Sequence, residues 1–348
     1  FSTRQPTAKL KSQYGRACPV DATIPDLLRL LAVPVLGWAA LRDVRTRRIP
    51  NRTWYPLAAL GVALLLWDAL ALGVGTPRFG LFLVRTLLSV GLVGGLGLGF
   101  WALGSFGGAD AKAFLAIALL FPTYPAYHLG DLLLPAVVTD LGVFSFTVLT
   151  NAVLVGAAYP LALAVANARG GTISPLAFVA RRVQVGSLVD RHGTLLDTGG
   201  HFTQSGLDLD ALRMYLRWRR LDLATLRSTP SLADPATLPA DPGEPTDGAV
   251  GEASTVGDSL PEMRGDGPTE GTIEDRWGAE AFLEALDGSA YGTSPEALRA
   301  GLDRIVEADR VWVSPGIPFI VPTFLGLLLA LTLGDLLFLG LEWLGLVT

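Results

Sequence analysis

The chain is poor in the residues that build cross-links and metal centres. Its 348 residues include one cysteine, Cys18, and three histidines, His128, His192 and His201. A lone cysteine excludes a disulfide framework, and without a CxxC pair there is no thiolate zinc site. The histidines are scattered along the chain, so no metal centre is expected from them, and no cofactor is called for. Residues 1–22 form a polar leader with Arg4, Lys9, Lys11 and Arg16 but no apolar core before a small-residue site, which is not the layout of a cleaved secretory signal. Residues 122–140 hold no lysine or arginine, and residues 229–275 hold no aromatic. The net charge of −5 offers no basic surface for nucleic acid.

Apolar residues are what the chain has in excess. Half are hydrophobic, the mean hydropathy is +0.44, and they fall in long blocks. A soluble chain spreads them through amphipathic patterns instead. A bilayer core of about 30 Å takes about 20 apolar residues per helix. Blocks at 24–40, 54–74, 80–103, 111–124, 141–168 and 317–347 therefore predict an all-α polytopic membrane protein of about six transmembrane helices. Pro122 and Pro125 shorten the fourth block, and residues 128–138 are expected to add a partial or re-entrant piece.

The turn after the first block carries Arg42, Arg45, Arg47, Arg48 and Arg52, which places it on the cytoplasmic side. Alternation then puts Lys112, Arg169, Arg181 and Arg182 inside as well. The basic leader falls outside and is outweighed by the denser first loop. Residues 23–168 thus form a five-helix membrane core, and a soluble cytoplasmic insertion precedes the last helix at 316–348. Within the insertion, residues 177–198 alternate around a D-R-H-G turn and predict a hairpin. A helix over 208–227 sets Leu212, Tyr215, Leu216 and Trp218 against Arg213, Arg217, Arg219 and Arg220, which suits either the inner leaflet or packing on the hairpin. Hairpin and helix make up residues 169–228. Residues 229–275, rich in Pro, Gly, Asp and Glu, predict a disordered acidic linker. Helices are expected to return in 276–315, around 280–286 and 294–308.

Two aspartates sit at the edges of apolar blocks inside short motifs, D-V-R-T-R-R-I-P-N at 43–51 and F-G-G-A-D-A-K at 106–112. A carboxylate at membrane depth costs roughly 2.5–3.5 kcal/mol on insertion scales, so one kept there has a use. Taken singly, Asp43 reads as a helix-end residue paired with Arg45 or Arg47, and Asp110 as a helix N-cap. Taken together, they end an inward helix and begin an outward one at the same level. Two carboxyls flanking one water share a proton, so that one acts as general base and the other polarises a carbonyl. Gly107 and Gly108 supply permissive backbone, and Pro50 turns the chain back.

The two motifs together resemble those of the GxGD membrane aspartic peptidases that process type IV prepilins and archaeal preflagellins. In that family the first catalytic aspartate opens a D-x-x-x-x-x-I-P-N stretch, matched here by Asp43, Arg48 before Ile49, Pro50 and Asn51. The second closes G-x-G-D followed by x-K, matched by Gly107, Gly108, Asp110 and Lys112; Ala109 stands where the strict motif has glycine. Bacterial members often carry paired CxxC and a methyltransferase domain, both missing here, so the chain is similar to the archaeal, peptidase-only type. The resemblance implies removal of a short basic leader from prepilin-like or preflagellin precursors at the cytoplasmic face of the cell membrane. The partners it implies are those precursors and the lipid bilayer; it says nothing of oligomeric state. The presenilin-like pattern of Y-D, G-L-G-D and P-A-L is not found. A non-enzymatic scaffold or proton-coupled transporter of pilus assembly is the other class considered, and no inverted repeat supports a transporter.

Among the remaining membrane charges, Asp68 and Arg85 lie about equally far from their shared turn and predict an ion pair between helices. Asp335 and Glu342 are read as facing a polar cavity near the outer end of the last span.

Overall fold

A computed structural model describes residues 22–103, 106–196, 206–251, 275–286, 290–316 and 318–346. The leader, apart from Ala22, lies outside the described residues, as do Cys18 and His201. The chain divides into two compact units, residues 1–157 with 318–348, and residues 158–317.

The first unit is helical. Helices α1 (Ile24–Arg29) and α2 (Ala32–Thr46) run on nearly without a break, opened by Thr23, whose hydroxyl accepts the Asp26 N–H at 3.2 Å. A 3-10 turn, Asn51–Thr53, leads into α3 (Trp54–Leu72). Thr76 then caps α4 (Pro77–Leu88), which continues through a π-helical stretch, Ser89–Gly94, into α5 (Gly95–Ala102). After α6 (Gly108–Leu120) comes the long α7 (Phe144–Arg169), of which the residues up to Ala157 belong to this unit. Four stretches are long and apolar enough to cross a membrane: Ile24–Thr46, Asn51–Leu72, Pro77–Ala102 and Phe144–Arg169. This is a helical, multi-pass membrane protein.

The two remaining blocks are shorter than the sequence implied. Helix α6 has 13 residues, a rise of about 20 Å, and is walled in by its neighbours. A Cβ on Gly61 of α3 would lie 2.8 Å from Leu119 Cβ, and one on Gly97 of α5 would lie 3.0 Å from Phe114 Cβ. Ala113, Ile117 and Leu120 are accordingly buried between the longer helices. The last block divides into α12 (Ile320–Thr332) and α13 (Leu336–Trp343). They part at Gly334, whose φ of +89° and closeness to Val137 O leave no room for a side chain. Residues 128–138 contain a short hairpin: β1 (Tyr127–Leu129) and β2 (Leu132–Leu134) pair antiparallel, His128 opposite Leu133.

The second unit is α/β, so the chain is not all-α. Strands β3 (Arg181–Gln184), β4 (Thr194–Leu195), β5 (Leu207–Asp208) and β6 (Arg310–Ser314) form one antiparallel sheet in the order β3-β6-β4-β5. The local hairpin predicted over 177–198 does not form. A 3-10 turn, Val185–Asp190, separates β3 from β4, and β6 takes the place between them with Arg182 opposite Trp312 and Leu195 opposite Val313. The alternating V-W-V of β6 buries Val311 and Val313 and supplies the partner that the local pattern lacked.

Helices α8 (Leu209–Trp218), α9 (Leu223–Ser228), α10 (Ala279–Glu284) and α11 (Pro295–Glu307) pack with the sheet around Leu212, Tyr215, Leu216, Trp277 and Phe282. Helix α8 is buried on nearly every face and is no leaflet-bound amphipath. Its arginines work inside. Arg213 pairs with Asp210 and donates to Gly248 O at 2.6 Å. Arg219, 1% exposed, reaches Thr237 Oγ1 at 3.0 Å, Trp277 O at 3.2 Å and Leu232 O at 3.4 Å. Those bonds order residues 229–251, which form 3-10 turns at Pro230–Ala233 and Pro235–Thr237 instead of a disordered linker. The rest of the acidic stretch, 252–274, lies outside the described residues.

Candidate active site

Helix α2 ends one turn beyond Asp43. Arg47 takes the left-handed conformation, φ +54°, and its N–H closes onto Asp43 O at 2.9 Å. Arg48 O then accepts from Arg42 Nε at 3.0 Å and from Thr46 Oγ1 at 3.2 Å, which holds the arginine-rich loop tightly curled. Pro50 closes the 3-10 turn by accepting the Thr53 N–H at 3.0 Å. Ile49 packs into the apolar cluster built by α2, α3 and α6. Asp43 is buried, with 9% of its surface exposed, among those helices.

The second motif opens α6. Gly107, not Asp110, is the N-cap; Asp110 is the third residue of the helix and its carboxyl reaches back to accept the Gly107 N–H at 3.0 Å. Neither Gly107 nor Gly108 needs a left-handed backbone. Space is tight at Gly107, where a Cβ would lie 3.2 Å from Asp110 Oδ2; at Gly108 a Cβ would make ordinary contacts, 3.6 Å to Lys112 Nζ and 3.7 Å to Trp101 Nε1. Ala109 packs into the same cluster as Ile49, a place where a methyl group fits.

A hydrogen bond between described residues joins the two motifs. Lys112 Nζ donates to Asn51 Oδ1 at 2.8 Å across 61 positions of sequence. Asp43 lies within Coulombic range of Asp110, and Arg47 within range of both. Asp43, Ile49, Asn51, Ala109, Asp110 and Lys112 are thereby gathered at one end of α2 and α6. Arg48 contributes backbone to the loop. Arg47, read in the sequence as a candidate partner of Asp43, acts on its carboxyl, and Trp101 belongs to the surroundings of the site without having been singled out in the sequence. For Arg47 the signal was its place one helical turn after Asp43; Trp101 has none that spacing reveals.

The rival charges are accounted for elsewhere. Asp68 pairs with Arg29, not with Arg85, and Arg29 also bonds Asp26 at 2.7 Å and Leu120 O at 2.7 Å. Arg85 Nε donates to Leu141 O at 3.1 Å. Equal distance from a turn set the depth of Asp68 and Arg85 but not the faces they occupy. Asp335 is buried, caps α13 through the Leu337 and Phe338 N–H groups at 3.0 and 3.2 Å, and accepts from Thr147 at 3.0 Å. Among the described residues no cluster of histidine, cysteine and carboxylate side chains offers a metal site.

A short helix bearing one carboxylate, enclosed by long apolar helices and tied by its lysine to a loop that follows a second carboxylate, defines a multi-pass membrane protein with a polar site at its helix ends. Residues 30–161, which contain both motifs, match the type IV leader peptidase family. Residues 283–336, from α10 to the start of α13, match the type II C-terminus of archaeal peptidase A24. The two matches together span just over half the chain, and the chain belongs to the type IV leader peptidase family, in the archaeal form that the sequence resembles. It is a peptidase by that membership. No curated protein and no solved structure matches it.

Proposed function

We propose that this protein is an aspartic endopeptidase that removes the short basic leader of type IV prepilin-like or preflagellin precursors at the cytoplasmic face of the cell membrane. The observation that carries the reading is the Lys112–Asn51 bond, which draws the two motifs together while Asp43 and Asp110 lie within electrostatic reach. Asp43 and Asp110 share one proton, since two like charges at close range do not both ionise. The ionised carboxyl takes a proton from water as it attacks the scissile carbonyl carbon. The protonated one donates to the carbonyl oxygen, and the tetrahedral intermediate then collapses with the proton passed to the leaving amine. Lys112, Asn51, Gly107, Gly108 and Ala109 position these groups; no metal or cofactor takes part.

In this reading α6 and the α12–α13 pair complete six passages, with the arginine-rich loop inside and the second unit cytoplasmic. A precursor's apolar helix lies in the bilayer and its basic leader in the cytoplasm. The cut at their junction falls at the level of a carboxyl pair on cytoplasmic helix ends.

The test mixes membranes holding the wild type, Asp43→Asn or Asp110→Asn with a tagged prepilin or preflagellin. A shorter product from wild type alone, with all three proteins present at equal amount, is expected. Cleavage that survives in both variants would remove the paired-carboxyl mechanism and leave a scaffold role.

A further inference from the structure

The large hydrophobics that the second unit leaves exposed beyond α7 are unevenly placed. Among the described residues they are Ile173, Phe178, Val179 and Tyr291, and the first three lie within seven positions of one another. Ile173 is 92% exposed, which is close to the state of the unfolded chain. Clustered apolar exposure of this kind marks a surface that is covered in use.

The segment is rigidly held. Asn167, in the last turn of α7, donates its amide to both Ala177 O and Ala180 O at 2.8 Å. Ser174 accepts the Leu176 N–H at 3.3 Å and opens a 3-10 turn, Pro175–Phe178. Residues 170–180 are thus pinned back onto the helix end, with Ala177 and Ala180 buried and Ile173, Phe178 and Val179 facing out. Arg169 ends α7, and Arg181 and Arg182, both exposed, follow at once. No aspartate or glutamate occurs between Asp140 and Asp190.

Chain continuity decides what covers this surface. Ile173 comes four residues after the end of a helix long and apolar enough to cross a membrane. Strand β3, which starts at Arg181, pairs antiparallel with β6, so its first residue faces Val313 where β6 ends and the chain departs for α12. Both connections of the second unit to apolar helices therefore leave from the same end of its sheet.

We infer that residues 169–182 are an interfacial anchor, in which Ile173, Phe178 and Val179 insert among lipid acyl chains while Arg169, Arg181 and Arg182 bind anionic lipid phosphates. Apolar insertion and arginine–headgroup attraction reinforce one another at such a surface. The anchor fixes the height of the second unit against the bilayer, independently of the peptidase reading, because nothing in it touches Asp43 or Asp110 among the bonds described.

The test uses the full chain with Cys18→Ser and a nitroxide at Ile173→Cys or, for comparison, at the exposed Ser231→Cys, in nanodiscs of phosphatidylcholine with or without phosphatidylglycerol. The label at 173 is expected to be shielded from an aqueous nickel chelate and open to lipid-dissolved oxygen, with the reverse at 231. Arg181→Gln combined with Arg182→Gln is expected to lessen that shielding in the anionic discs and to leave it unchanged in the neutral ones. Phe178→Cys supplies a second probe should the first variant misfold. A label at 173 as open to the chelate as that at 231, shielding indifferent to both arginines, or shielding found only when a disc holds two copies of the chain overturns the proposal.

Discussion

The hydrogen bond between Lys112 and Asn51 is the smallest feature on which the site depends. It spans the two motifs, so its loss is felt at a distance from either carboxyl. The bond is exposed, so water can replace a lost partner, and the loss is about 0.5–1.5 kcal/mol. If the bond positions the carboxyls, Asn51→Ala and Lys112→Met each lower kcat/KM by roughly 3- to 10-fold, and the double variant is scarcely worse than either single one. A double-mutant cycle on precursor cleavage checks this; fully additive losses would show that the two side chains act separately. The residues of this site were legible in the sequence as two motifs, because aspartate, glycine and Ile-Pro-Asn at fixed spacing are short-range signals. The bond that joins them is a property of helix packing and was not. The same limit explains Asp68, which found Arg29 on the preceding helices instead of Arg85 on the following one.

At the scale of elements, apolar length was readable and apolar context was not. The runs that became Ile24–Thr46, Asn51–Leu72, Pro77–Ala102 and Phe144–Arg169 stand out because a lipid-facing helix has to be apolar for its whole length. Helix α6 stays short because protein surrounds it, and the last block breaks at Gly334 because Val137 O approaches there. In the second unit the arginines of α8 misled, since a basic stripe on a helix reads as a wet or headgroup-facing side. Arg219 instead acts as a buried clamp that satisfies carbonyls of residues 229–238, a role visible only when the acceptor segment folds over it. Arg219→Leu is therefore expected to destabilise the second unit by about 1–3 kcal/mol, with the lost protection concentrated in residues 229–238. Amide exchange followed by mass spectrometry reads this directly, and unchanged exchange in that segment would contradict the clamp.

For the molecule as a whole, Asp208 in the second unit is expected to lend stability a pH dependence. Burial pushes the Asp208 carboxyl up to about 6, and the neighbouring Asp210 charge adds to this, while the Asp210 N–H that Asp208 accepts at 2.7 Å pulls the other way. A carboxyl whose folded pKa lies above its unfolded one favours folding while it is protonated in both states. Its contribution is therefore complete below about pH 4 and is lost as the pH rises through about 6. The exchange protection of α8, corrected for intrinsic rate, is expected to decline over that window, and Asp208→Asn, which keeps the capping oxygen, is expected to flatten the decline. A slope unchanged by the substitution would assign the dependence to another group.

Among the described residues strand β6 comes last in sequence, yet it occupies an inner place in its sheet, between β3 and β4. During synthesis β3 and β4 emerge early and find no partner in one another, so both wait with open edges while the helices of the second unit are still being made. The ribosome supplies the closing strand only when it reaches Ser314, a few residues before it begins α12. Completion of this sheet and delivery of α12 to the translocon are thus nearly simultaneous events, and a chain released before Arg310 ends with a sheet that has no middle.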